Sequence, residues 1–134
     1  MSDVDAAAVR AAVERYLDAL ERFDLPAVLE CFTDDAFYSH PPYESDEHRG
    51  RHEVTGHDGL VLLFEHRGPR PDVSHSITLV AAAGDAGFVA GTFSHGDATI
   101  GSFVSTVVLA PDGRISSYAA YASVPAVGMS LSTP

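Results

Sequence analysis

The chain has 134 residues, 46% of them hydrophobic, and a formal charge of −11 from 19 acids against 8 arginines and no lysine. That length suits one domain burying roughly 70% of its unfolded surface. The acidic balance argues against nucleic-acid and anionic-membrane partners, because both are bound by neutralising phosphates with basic side chains.

The start, Met1-Ser2-Asp3-Val4-Asp5, lacks the basic and apolar runs of a secretory signal, and no apolar stretch approaches ~18 residues, so a cytoplasmic protein is the expectation. The lone Cys31 excludes an internal disulfide framework and reads as a buried structural thiol.

Val9, Val13, Tyr16, Leu17, Leu20 and Phe23 mark one face of a helix predicted from about Val4 to Arg22, with Glu14, Arg15, Asp18 and Glu21 mostly opposite. Asp24 reads as the N-cap, and Pro26 as the first turn, of a short second helix running through Cys31 and Phe32. Asp34-Asp35 reads as a polar turn into a short strand, Ala36 to Ser39. His40 then stands where helical patterning gives way to strand patterning, held by Pro41-Pro42, which favour a rigid extended path.

The polar stretch from Tyr43 to Gly56 reads as a loop and a plausible lid. A third helix is predicted from His57 or Asp58 to Arg67, stopped by Gly68-Pro69. Four strands follow, Val73 to Ala83, Phe88 to Ser94, Thr99 to Ala110 and Ile115 to Val124, and their short Gly-Asp and Pro-Asp-Gly connections imply an antiparallel meander. The Ser-, Gly- and Pro-rich tail after Pro125 reads as a flexible end or an arm to a neighbouring subunit. Helices followed by a curved antiparallel sheet make an α+β cone whose mouth suits an apolar pocket.

The phrases Arg15-Tyr16-Leu17-Asp18-Ala19-Leu20, Phe23-Asp24-Leu25, Phe32-Thr33-Asp34-Asp35-Ala36 and Ser39-His40-Pro41, with this element order, resemble the nuclear transport factor 2-like superfamily, and within it the SnoaL-like and ketosteroid-isomerase-like members. The resemblance implies a cone-shaped curved sheet packed on three N-terminal helices, a single SnoaL-like domain over residues 1–124 with a tail over 125–134, and a homodimer formed through the sheet. It further implies a cavity for a small hydrophobic molecule and cofactor-free proton-transfer chemistry: isomerisation, cyclisation or dehydration of a carbonyl or polyphenolic substrate. In the isomerase members a first-helix tyrosine matches Tyr16, the aspartate base before proline matches His40, and the second oxyanion donor falls near Ser105. The run Ser116 to Ser123 has no acid where the cyclases often carry one, so neither mechanism transfers whole.

For His40 three readings stay open: proton acceptor, ligand contact, or structural wall. Tyr16 is either an oxyanion donor or a core aromatic. Tyr38, Tyr43, Phe64, His75, His95, Ser105, Tyr118 and Tyr121 are the candidate cavity-lining residues, with Tyr38 and His40 sharing a strand face. Tyrosine-rich strands are common without any ligand. His48, His52 and His57, with Glu47 and Glu53, invite a metal reading, but His52-Glu53-Val54-Thr55-Gly56-His57 departs from the helical zinc-protease spacing, and a solvated lid is preferred. No metal and no cofactor are expected. The competing expectation is a non-catalytic binding or dimerisation domain of the same fold.

Overall fold

The computed structural model describes residues 4–43 and 45–127. Helix α1, Ala6–Glu21, starts where Asp5 accepts a hydrogen bond from the Ala8 amide at 2.7 Å, and it buries Val9, Ala12, Val13, Tyr16, Leu17, Ala19 and Leu20 along one face. Asp24 caps α2, Leu25–Glu30, through the Ala27 amide at 3.2 Å. This helix ends two residues before the expected Phe32. The Cys31 carbonyl is taken by the Ile115 amide at 2.8 Å, and Phe32 enters the sheet instead.

Strand β1 therefore runs Phe32–His40, longer than expected, and Asp34 and Asp35 are exposed strand residues rather than a turn. They lie in the irregular stretch between Phe32 and Phe37 in the pairing of β1 with the last strand. The expected lid contains a short edge strand, β2, His52–Thr55, antiparallel to β1 with His52 opposite His40. Helix α3 spans Gly56–Arg67 and buries Leu60, Leu63 and Phe64.

The remaining strands, β3 (Val73–Ala83), β4 (Ala86–His95), β5 (Ala98–Leu109) and β6 (Ile115–Ser123), form the expected meander. The six-stranded order is β2-β1-β6-β5-β4-β3, and every pair is antiparallel except β1 with β6. Register shifts at Ile77/Leu79, Phe93/Ser94 and Val108/Leu109 bend the strands into a curved, unclosed sheet. Gly91 sits at the Ile77/Leu79 register shift: an ideal Cβ there would lie 2.1 Å from the Ser76 carbonyl oxygen and 2.8 Å from the Phe103 ring. Only glycine lets the two strands close onto Phe103 at that point.

The concave side carries Val89, Phe103, Val107, Tyr118 and Ala120, packed against the apolar faces of α1 and α3. The convex side is different. Leu79, Ala90, Val104 and Tyr121 are successive cross-strand partners, and Leu79, Val104 and Tyr121 are 43%, 45% and 52% exposed. Among the described residues no helix is long and apolar enough to cross a membrane. Most of the tail expected after Pro125 lies outside the described residues.

Candidate functional site

Between α1, the C-terminal end of α3 and the concave sheet lies a cavity of about 780 Å³. The period-two geometry of β1 and its pairing with β6 account for one wall. Tyr38 and His40 point to the same side, and Tyr118 is the cross-strand partner of Tyr38. The rings of Tyr118 and Tyr38 stack with centroids 5.4 Å apart and 8° between planes, Tyr38 and His40 follow at 6.3 Å and 6°, and His40 and Tyr43 at 4.6 Å and 23°. A column of four stacked rings thus lines one wall of the cavity.

Tyr16 enters from α1 and its hydroxyl lies 2.6 Å from that of Tyr38. One phenol of this pair donates to the other, which leaves one hydroxyl hydrogen for a guest. Ser105 donates to the Tyr118 hydroxyl at 2.8 Å, so the hydrogen of Tyr118 is likewise free. Burial raises the pKa of Tyr16 and Tyr38 well above the usual phenol value and pushes Tyr118 and Tyr43 up to about 12, so all four are neutral donors at physiological pH. Among the described residues the buried Tyr43 hydroxyl has no hydrogen-bond partner. Such an orphan typically costs about 1–3 kcal/mol.

His40 Nδ1 is 2.7 Å from the Pro41 carbonyl oxygen. A carbonyl only accepts, so Nδ1 carries the proton and Nε2 presents its lone pair. Burial lowers the pKa of this imidazole to about 4; the Pro41 carbonyl opposes the shift, while Arg67, His52 and Arg51 add to it. Among the described residues no carboxylate favours the ring's charged form.

A second imidazole has that support. His75, on β3, lines the same cavity, and Glu21 Oε2 accepts from both its backbone amide at 2.8 Å and its Nδ1 at 3.0 Å. Burial lowers the His75 pKa while Glu21 raises it, with burial the larger effect. Glu21 was expected on the solvent side of α1. It sits in the last turn of the helix, where α1 crosses β3, so a residue opposite the apolar stripe still reaches the sheet.

Of the residues singled out from sequence, Tyr16, Tyr38, His40, Tyr43, His75, His95 and Tyr118 line the cavity. Phe64, Ser105 and Tyr121 do not. Phe64 is fully buried behind the wall, 5.3 Å from the Tyr38 ring, and Ser105 lies beneath Tyr118, which takes its hydrogen bond. Tyr121 has the opposite strand parity to Tyr118 and Ala120 and lies on the convex face under the Arg51 guanidinium, 4.4 Å from its ring centroid. Arg67 and Arg70 also line the cavity, a placement that helix periodicity did not single out. Arg70 stands 5.2 Å over the Tyr43 ring.

The family model for the SnoaL-like domain matches residues 13–118, a span that includes the C-terminal half of α1, the ring column and the greater part of the sheet. The chain belongs to the SnoaL-like domain family. No curated protein matches it. A SnoaL-like protein of unknown function from Burkholderia thailandensis superposes with a TM-score of 0.70 at 19% identity, over 91% of this chain and 99% of that one. A structure described as an LEH-like epoxide hydrolase from M. tuberculosis aligns with a TM-score of 0.60 at 23% identity, covering 89% and 84%. A further protein of unknown function, from Burkholderia pseudomallei, gives 0.65 at 24% identity, covering 90% and 91%. At these identities the likeness to solved structures shows the SnoaL-like fold, the expected α+β cone, and the chemistry has to be argued from this chain's own cavity.

Proposed function

We propose that the chain is an enzyme that moves a proton, without a cofactor, on a small hydrophobic carbonyl-bearing or polyphenolic molecule held in the cavity. The observation that carries this reading is the pairing of His75 with Glu21 in the same hollow as the neutral phenols of Tyr16, Tyr38 and Tyr118. His75 takes the proton α to the carbonyl at Nε2. Glu21 accepts from Nδ1, holds the ring's orientation and stabilises the imidazolium that forms. Two phenol hydrogens, one from the Tyr16–Tyr38 pair and that of Tyr118, donate to the carbonyl oxygen as it gains negative charge, each worth a few kcal/mol when pre-positioned.

His40 serves differently. Its Nε2 lone pair and low basicity suit it to accept a hydrogen bond from a substrate hydroxyl and remain neutral. The orphan hydroxyl of Tyr43 and the guanidiniums of Arg67 and Arg70 favour an oxygen-rich guest, while Leu17, Leu20, Phe93 and Phe103 bind its apolar body. Returning the proton from His75 to a different carbon completes an isomerisation; passing it instead to a β-hydroxyl, which the enolate expels as water with formation of the carbon–carbon double bond, completes a dehydration.

The test is isotope exchange. Flat cyclic ketones and polyphenols bearing an enolisable carbon are incubated with the protein in D2O and followed by NMR. Deuterium enters the α-carbon with the native chain and at no more than the buffer rate with His75→Gln. Exchange that survives His75→Gln undiminished overturns the reading.

The convex face supports self-association. The row Leu79, Val104 and Tyr121, with Phe88 alongside at 40% exposure, is apolar on a chain of charge −11 and matches a homodimer formed across the sheet. Analytical ultracentrifugation is expected to show a dimer for the native chain and a monomer for Val104→Arg. A native monomer at high micromolar concentration contradicts this.

A further inference from the structure

On the far side of Tyr43 from the cavity, three side chains from three segments converge. Asp46 Oδ2 lies 2.6 Å from His52 Nε2, and Asp46 Oδ1 lies 2.6 Å from His66 Nε2. The three ligand-capable atoms all fall within 4.8 Å of one another. His52 comes from β2, His66 from the last turn of α3, and Asp46 from the segment between β1 and β2. The Asp46 side chain is only 8% exposed, and the Tyr43 amide donates to its Oδ2 at 2.7 Å, which fixes the carboxylate's direction. His66 is 46% exposed and opens to a groove lined also by Glu47 and His48.

We propose that Asp46, His52 and His66 form a binding site for one divalent first-row transition-metal ion of the zinc type. Two imidazoles and one carboxylate are a nitrogen-and-oxygen donor set that suits such ions and not magnesium or calcium, which take oxygen ligands. An ion about 2.0–2.2 Å from each donor needs ligand atoms roughly 3.3 Å apart in tetrahedral coordination. Each histidine has to retreat from the carboxylate by less than about 1 Å. Both imidazoles present Nε2, the nitrogen that would lose its hydrogen to the metal while Nδ1 keeps its own. The amide of Tyr43 supplies the outer hydrogen bond that orients the carboxylate ligand. Glu47, His48 or a water in the groove can complete the coordination.

The function of this ion is to tie three elements together. The Tyr43 ring stands between the cluster and the cavity, 4.6 Å from the His40 ring on one side and 5.4 and 6.0 Å from those of His52 and His66 on the other. An ion joining Asp46 to β2 and α3 therefore holds the cavity wall without entering the cavity. The local spacing of His48, His52 and His57 concealed the site: His57 turns away to the Phe32 carbonyl at 3.1 Å, and the third ligand is His66 on a different element.

The purified full chain, stripped with EDTA, is titrated with Co²⁺ by visible absorption and with Zn²⁺ by calorimetry. One ion per chain is expected, with a ligand-field band for Co²⁺ and a rise in Tm of roughly 5–10 °C at one-hundred-fold excess over Kd. His66→Ala, at an exposed position that the fold tolerates, and Asp46→Asn are each expected to weaken binding by at least about tenfold. His95→Ala, at the opposite end of the sheet, leaves it unchanged. Zinc affinity that His66→Ala does not alter, or no ligand-field band with Co²⁺, overturns the site. The readout is metal binding alone, so its failure leaves the proton-transfer proposal standing.

Discussion

His75→Gln is expected to lower kcat by roughly 10²–10⁴-fold, the usual worth of a positioned general base, while the fold and ligand affinity are retained. Glutamine keeps a hydrogen bond to Glu21 Oε2 within reach and removes only the group that can take the proton. The pH profile adds a second readout. The working form is neutral His75, and burial holds its pKa below the ordinary 6.5, so kcat/KM stays level as pH falls to about 6.5 and declines only below that value. Glu21 raises that pKa, hence Glu21→Gln shifts the acid limb further toward low pH and lowers kcat by at least roughly tenfold. A structural role for Glu21 would change stability without moving the limb. If His40 were the base instead, His40→Gln would give the larger loss, and the limb would sit near 4.

Much of this geometry was legible in the chain, because the signals involved are periodic. The apolar stripe of α1 put Tyr16 inward, and the two-residue repeat of β1 put Tyr38 and His40 on one face. Turn chemistry at Gly84, Gly96 and Pro111-Asp112-Gly113 spaced the meander correctly. What stayed hidden depends on contacts distant in sequence. Glu21 and His75 are 54 positions apart and meet only because α1 crosses β3; Asp46 meets His66 only because α3 folds back over β2. Strand parity could have excluded Tyr121, since Tyr118 and Tyr121 are an odd number of residues apart on β6 and so face opposite ways in a regular strand. The same parity test could not have separated Ser105 from the lining residues: it points inward but lies under Tyr118.

The second large effect is on stability. Above pH 6.5, His40 is neutral whether the chain is folded or unfolded. Below it the unfolded chain takes up a proton that the folded chain refuses until about pH 4, because burial and the nearby cations Arg67 and Arg51 disfavour the imidazolium. The unfolded state binds more protons across that window, so stability falls as pH falls, and the full loss from this one group is on the order of 3 kcal/mol. Urea unfolding at pH 7 and pH 4.5 measures it. Carboxylates contribute to the same slope, so the informative quantity is the difference between variants: in His40→Gln the drop between the two pH values should shrink by roughly 2–3 kcal/mol. An unchanged drop would mean that the His40 ring is solvated in solution. It would then be an ordinary imidazole, as able as His75 to take the proton.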